Sequence, residues 1–184
     1  MPARGTLSSV AAALLALTPA AAGAQSKPPA APAPAHSDAA QILRQARVVF
    51  PDSIGNFRLV GVRLYGPNHV NASYGIVGGP LVSFFVTRIE GTLEQEMAAA
   101  EAAIRRVHTN VRTLRDLSPP PVAPGALGRL WTAEMRGEPV QAAVMIWQRL
   151  GWRIKIRATA RDDTGLAEIE RLIRDFDWNG EVPA

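Results

Sequence analysis

Residues Leu127 to Ala160 read LGRLWTAEMRGEPVQAAVMIWQRLGWRIKIRATA, and this stretch decides the fold. Three runs rich in apolar, aromatic and β-branched residues follow one another with a short gap at each join. Leu127 to Arg136 reads as a strand, Gly137-Glu138 as a turn and Pro139 to Arg149 as the next strand. Leu150-Gly151 makes a second turn before a strand from Trp152 to Ala160. Gaps this short join hairpins, so the three strands should be antiparallel. Val144 to Trp147 is apolar on both faces, which predicts a strand lying centrally in its sheet.

Upstream, Ser118 to Gly125 holds four prolines and reads as an extended loop, with a shorter strand expected between Val111 and Leu117. Before it, Thr92 and Gln95 have capping-box spacing, and Leu93, Met97, Ala100, Ile104 and Val107 form one apolar stripe. That predicts a helix running to about His108, with Glu101 and Arg105 four apart on its wet side. Three further strand signals precede it: Phe57 to Tyr65, the alternating Val70 to Ile76, and Leu81 to Ile89 after the Gly78-Gly79-Pro80 turn. A first helix is expected to open at Ser37 or Asp38, carry Ile42, Leu43, Ala46, Val49 and Phe50, and stop at Pro51. A last helix should start at the Asp162-Asp163-Thr164 cap, bury Leu166, Ile169, Leu172, Ile173 and Phe176, and end at Asn179-Gly180. Helices set apart from runs of short-turn strands imply an α+β domain with a largely antiparallel sheet of six to seven strands.

The beginning of the chain reads differently. Arg4 and the amino terminus make a positive start, Val10 to Leu17 is a short apolar run, and Ala22-Gly23-Ala24 offers a small-x-small cleavage site before Gln25. Residues 1–24 are therefore expected to be a secretory signal peptide, since the apolar run falls short of the ~20 residues of a membrane span. Residues 25–36 hold Pro28, Pro29, Pro32 and Pro34 among alanines and read as a semi-rigid tail. The remainder, 37–184, is read as one globular domain. A periplasmic or secreted location follows, with no transmembrane segment in the mature chain.

Composition narrows the chemistry. The chain has 47% hydrophobic and 20% charged residues, which is globular usage. It has no cysteine, which excludes disulfides, thiol nucleophiles and thiolate metal sites. The net charge is +4, one unit of which Arg4 carries in the leader. Only Lys27 and Lys155 are lysines, so the positive charge is almost entirely arginine, and no basic run points to a nucleic acid.

Phe50-Pro51, Ile54-Gly55 and the strand Gly151-Trp152-Arg153-Ile154-Lys155-Ile156-Arg157-Ala158-Thr159 resemble uncharacterised exported proteobacterial proteins. That strand followed by a closing amphipathic helix resembles the PsbP-like α/β/α sandwich, over roughly Phe50 to Trp178. The resemblance implies helices packed on the faces of the sheet and a role in assembly or docking rather than catalysis. It carries no functional residue across.

Catalytic signatures are missing from the sequence. His36, His69 and His108 have no second histidine at metal-ligand spacing, and no nucleophile elbow, P-loop or dinucleotide fingerprint occurs. No cofactor is expected. Asp162-Asp163 is accounted for by helix capping, and the four tryptophans by packing. One pattern stands out. On the strand from Trp152, alternation sends Trp152, Ile154, Ile156 and Ala158 to one face and Arg153, Lys155 and Arg157 to the other. Three cations on one face need water, acidic neighbours or an anionic partner around them. The sequence thus supports an exported, non-catalytic binding or assembly module for an unknown protein or envelope component, an acidic one included. The alternative is a periplasmic enzyme or small-ligand-binding protein whose site is built from scattered residues.

Overall fold

The computed structural model describes residues 35–178. The signal peptide, most of the Pro/Ala tail and Asn179-Gly180 lie outside these residues. The elements run α1 (Ala35–Ala46), β1 (Ser53–Ile54), β2 (Phe57–Gly66), β3 (His69–Gly75), β4 (Leu81–Arg88), α2 (Leu93–Val107), β5 (Thr109–Asp116), β6 (Leu127–Met135), β7 (Glu138–Arg149), β8 (Trp152–Ala160) and α3 (Asp163–Asp175). All eight strands form one antiparallel sheet in the order β1-β2-β3-β4-β8-β7-β6-β5. The α+β class and the antiparallel sheet are as expected. The strand count is corrected from six or seven to eight. The additional strand is β1, a two-residue piece that pairs Ser53 with Arg58 and Ile54 with Phe57 across the Gly55-Asn56 turn.

Both hairpins in the decisive stretch turn on two residues with positive φ: Arg136 (56°) with Gly137 (83°), and Leu150 (50°) with Gly151 (77°). This is type I′ geometry, whose twist matches that of the flanking strands. The first turn is therefore Arg136-Gly137, one residue earlier than expected.

The helix ends also moved. α1 begins at Ala35 and stops at Ala46, well short of Pro51. Arg47 takes φ of 50°, Val48 N–H donates to Leu43 at 2.9 Å and Arg47 N–H to Arg44 at 3.2 Å. This Schellman closure, rather than the proline, ends the helix. α3 stops at Asp175 with Phe176 as its cap.

Two apolar layers sandwich the sheet. On one face Val70, Ala72, Tyr74, Val82, Phe84, Val86, Ile154 and Ile156 pack with residues of α1 and α3 in the larger core. On the other, Met97, Ala100 and Ile104 of α2 pack on Trp131, Ala142, Val144 and Ile146. β7 feeds both cores, through Ala143, Met145 and Trp147 on one side and Ala142, Val144 and Ile146 on the other. Its continuous apolar run is explained by that position. Val107, expected in the α2 stripe, is the last helical residue and is 64% exposed.

Candidate functional site

α2 packs over β5, β6 and β7. Its face of the sheet is therefore uneven: α2 reaches the start of β8 through Glu96, while its main packing is on β5, β6 and β7 rather than on β2, β3 and β4. The four strands β2, β3, β4 and β8 carry Arg58, Arg63, Arg88, Arg153, Lys155 and Arg157, and contain no aspartate or glutamate. Arg88 belongs to the other face, where its guanidinium lies 4.0 Å from the Trp152 ring centroid.

Cross-strand register places the rest. Arg63 stands beside Asn71, Asn71 beside Phe85, and Phe85 beside Lys155. Arg157 lies one step along β8 on the same face, opposite Ser83. An aromatic strip accompanies these cations: Tyr65 lies 5.4 Å from His69, His69 lies 6.0 Å from Phe85, and Lys155 Nζ lies 5.4 Å from the Phe85 centroid. Asn71 is locked within the sheet, donating to the Phe84 carbonyl at 2.9 Å while its own oxygen accepts from Ser73 at 3.2 Å.

Arg153, Lys155 and Arg157 share a face, as alternation predicted, but not an environment. Arg153 is only 3% exposed. It donates to Glu96 Oε2 at 2.8 Å and to the carbonyls of Glu90 and Gly91 at 2.9 and 3.0 Å. It thereby ties the loop before α2 to the sheet, and its guanidinium is not available to a partner. Lys155 is half-buried and meets Glu96 Oε1 at 2.6 Å. Among the described residues Arg157 has neither ion pair nor hydrogen bond. Glu96 was not singled out in the sequence, where it is one of two acids in the first turn of an amphipathic helix. Its partners lie 57 and 59 residues away, a separation no local pattern reports.

The electrostatics follow from these contacts. Burial alone would raise the Glu96 pKa, but the hydrogen bond and charge of Lys155 and the charge of Arg153 outweigh it and hold the carboxyl below its ordinary value. Burial, then the charge of Lys155, push His69 below its ordinary value. Tyr74, in the opposite core, is raised by burial and by the Asp52 charge, and its hydroxyl donates to the Pro51 carbonyl at 2.7 Å. No group of three or more metal-ligating side chains occurs among the described residues, and none of their helices is long and apolar enough to cross a membrane.

A cavity of about 630 Å³ opens at one end of this face, where the end of α2, the turn before β4 and the start of α3 approach one another. Arg157, Arg161 and His108 line it beside the apolar Leu81, Phe85 and Met135.

A scan against protein-family models finds no match, and neither does a search of curated proteins. Among solved structures, the crystal structure of LpqN, involved in cell envelope biogenesis of Mycobacterium tuberculosis, is similar at a TM-score of 0.40 and 12% identity. The match covers 70% of this chain and 78% of that one. A likeness this slight carries no argument about function, and it does not establish a PsbP-like family.

Proposed function

We propose that this protein is an exported, non-catalytic binding module of PsbP-like sandwich type that docks an acidic protein partner on the half of its sheet built from β2, β3, β4 and β8. The observation that carries the reading is the charge of that half. The four adjacent strands carry no carboxylate of their own; of their six cations Arg88 faces the other side and Arg153 is buried, while Arg63 and Arg157 have no ion-pair partner among the described residues. Cations without local compensation favour an anionic partner, and arginine's planar fork suits carboxylates. Tyr65 and Phe85 add the aromatic contact area common in interfaces.

Poly-L-glutamate serves as an acidic probe. The protein should bind it at low ionic strength and release it as salt rises, because exposed charges are screened over ~8 Å at physiological ionic strength. Binding that is absent, or indifferent to salt, contradicts the proposal.

A further inference from the structure

We infer that the cavity beside Arg157 is a binding site for a monomeric anionic amphiphile, a carboxylate or phosphate head on an aliphatic tail. This goes beyond the docking reading; it shares Arg157 with that surface but rests on the cavity. Its volume of about 630 Å³ lies within the usual ~300–1,000 Å³ range of small-molecule sites.

The lining has two chemically distinct parts. Arg157 and Arg161 contribute two guanidinium groups, neither of which has an ion pair or hydrogen bond among the described residues. The acid in the lining, Asp162, is already engaged: its Oδ1 accepts from the Gly165 N–H at 2.7 Å as the cap of α3. His108 adds a buried Nδ1 without a hydrogen-bond partner.

The remaining wall is largely apolar, with Leu81, Phe85, Ile104, Met135 and Val144, and includes the hydroxyls of Ser83 and Thr159. Leu81 is 56% exposed. A large apolar side chain left in water beside uncompensated arginines suits a ligand that is charged at one end and greasy at the other. A bare anion would leave the apolar wall unused, and a neutral lipid would leave the guanidinium groups unused.

The test uses the full mature chain and three probes: decanoate below its micelle concentration, inorganic phosphate, and phosphatidylglycerol vesicles. Calorimetric titration should show decanoate binding saturably at one site, with inorganic phosphate at least tenfold weaker. The double variant Arg157→Gln/Arg161→Gln should weaken decanoate about tenfold or more, the scale of losing a charge-assisted hydrogen bond. Leu81→Ser, at an exposed strand start, should weaken decanoate while leaving the response to phosphate unchanged. Vesicles binding better than the monomer would replace the inferred source with a membrane surface and overturn the inference. So would decanoate that fails to bind, phosphate that matches decanoate, or a folded double variant that binds decanoate like the wild type. Lys155→Gln, outside the cavity lining, separates the two readings. It should impair poly-L-glutamate capture and spare decanoate, so either reading can fail alone.

Discussion

Glu96 is the residue on which the layout of the charged face depends. It holds one buried and one half-buried cation, and it is itself largely shielded. Its carboxyl titrates below the ordinary 4.5, so the folded state binds that proton less readily than the unfolded chain. The resulting stability is present above the unfolded value and is lost as pH falls through the folded one. His69 acts in the same direction, since its imidazolium is disfavoured in the fold and stability falls as pH drops below its ordinary 6.5. Glu96→Gln should therefore lower stability at pH 7, toward the smaller end of the ~3–5 kcal/mol seen when a buried pair loses one partner. Its stability should also depend less on pH between about 5 and 3. Denaturant melts across that range check both points; a variant as stable as the wild type at pH 7 would show that Arg153 does not need its carboxylate.

At the scale of elements, periodicity carried most of the information. Alternation in β3 and β8 correctly placed the residues of the larger core on one face, because a strand packed on a core leaves a period of two in its sequence, although Asn71 and Arg153 on the other face are buried as well. The caps were equally legible: Gln95 N–H donates to Thr92 Oγ1 at 3.2 Å, and Gln95 Oε1 accepts from Thr92 N–H at 2.9 Å. β1 was invisible because two residues have no period. The end of α1 was misplaced because its closure uses a left-handed Arg47, which has no signature of the kind glycine would give. The separate fates of Arg153 and Arg157 were illegible for another reason. Which cation α2 covers depends on where a helix 50 or so residues earlier crosses the sheet, and a strand's own alternation is silent about that.

Two predictions belong at this scale. Ile104→Ala and Ile154→Ala should each cost ~2–5 kcal/mol through lost burial and cavity formation, while Val107→Ala, from the exposed end of the same stripe, should stay within about 0.5 kcal/mol. Equal effects at the three positions would mean that the core has been misassigned. Leu150 is 54% exposed and sits at positive φ, a conformation unfavourable to a branched side chain. Leu150→Asn creates the Asn-Gly pair this turn type prefers, and should raise stability by about 0.5–1 kcal/mol in thermal melts. A lowered melting temperature would show that Leu150 packs usefully in spite of its exposure.

For the whole molecule, the leader pattern and the charge layout bear on one account: a domain exported to meet something acidic outside the cytoplasm. Intact-mass measurement of the protein from its native host should find a chain beginning near Gln25. A full-length chain retained in the cytoplasm would remove the compartment from the proposal.

The central claim is that cations sharing one strand face divide into a structural anchor and a docking pair. The most direct measurement compares thermal melting and poly-L-glutamate binding for Arg153→Gln and for the double variant Lys155→Gln/Arg157→Gln. The account predicts that Arg153→Gln melts markedly lower, because Glu96 and the carbonyls of Glu90 and Gly91 lose their donor. It predicts that the double variant melts within a few degrees of the wild type and loses the salt-sensitive binding. A double variant that folds and binds the probe like the wild type, or an Arg153→Gln protein as stable as its parent, would contradict it.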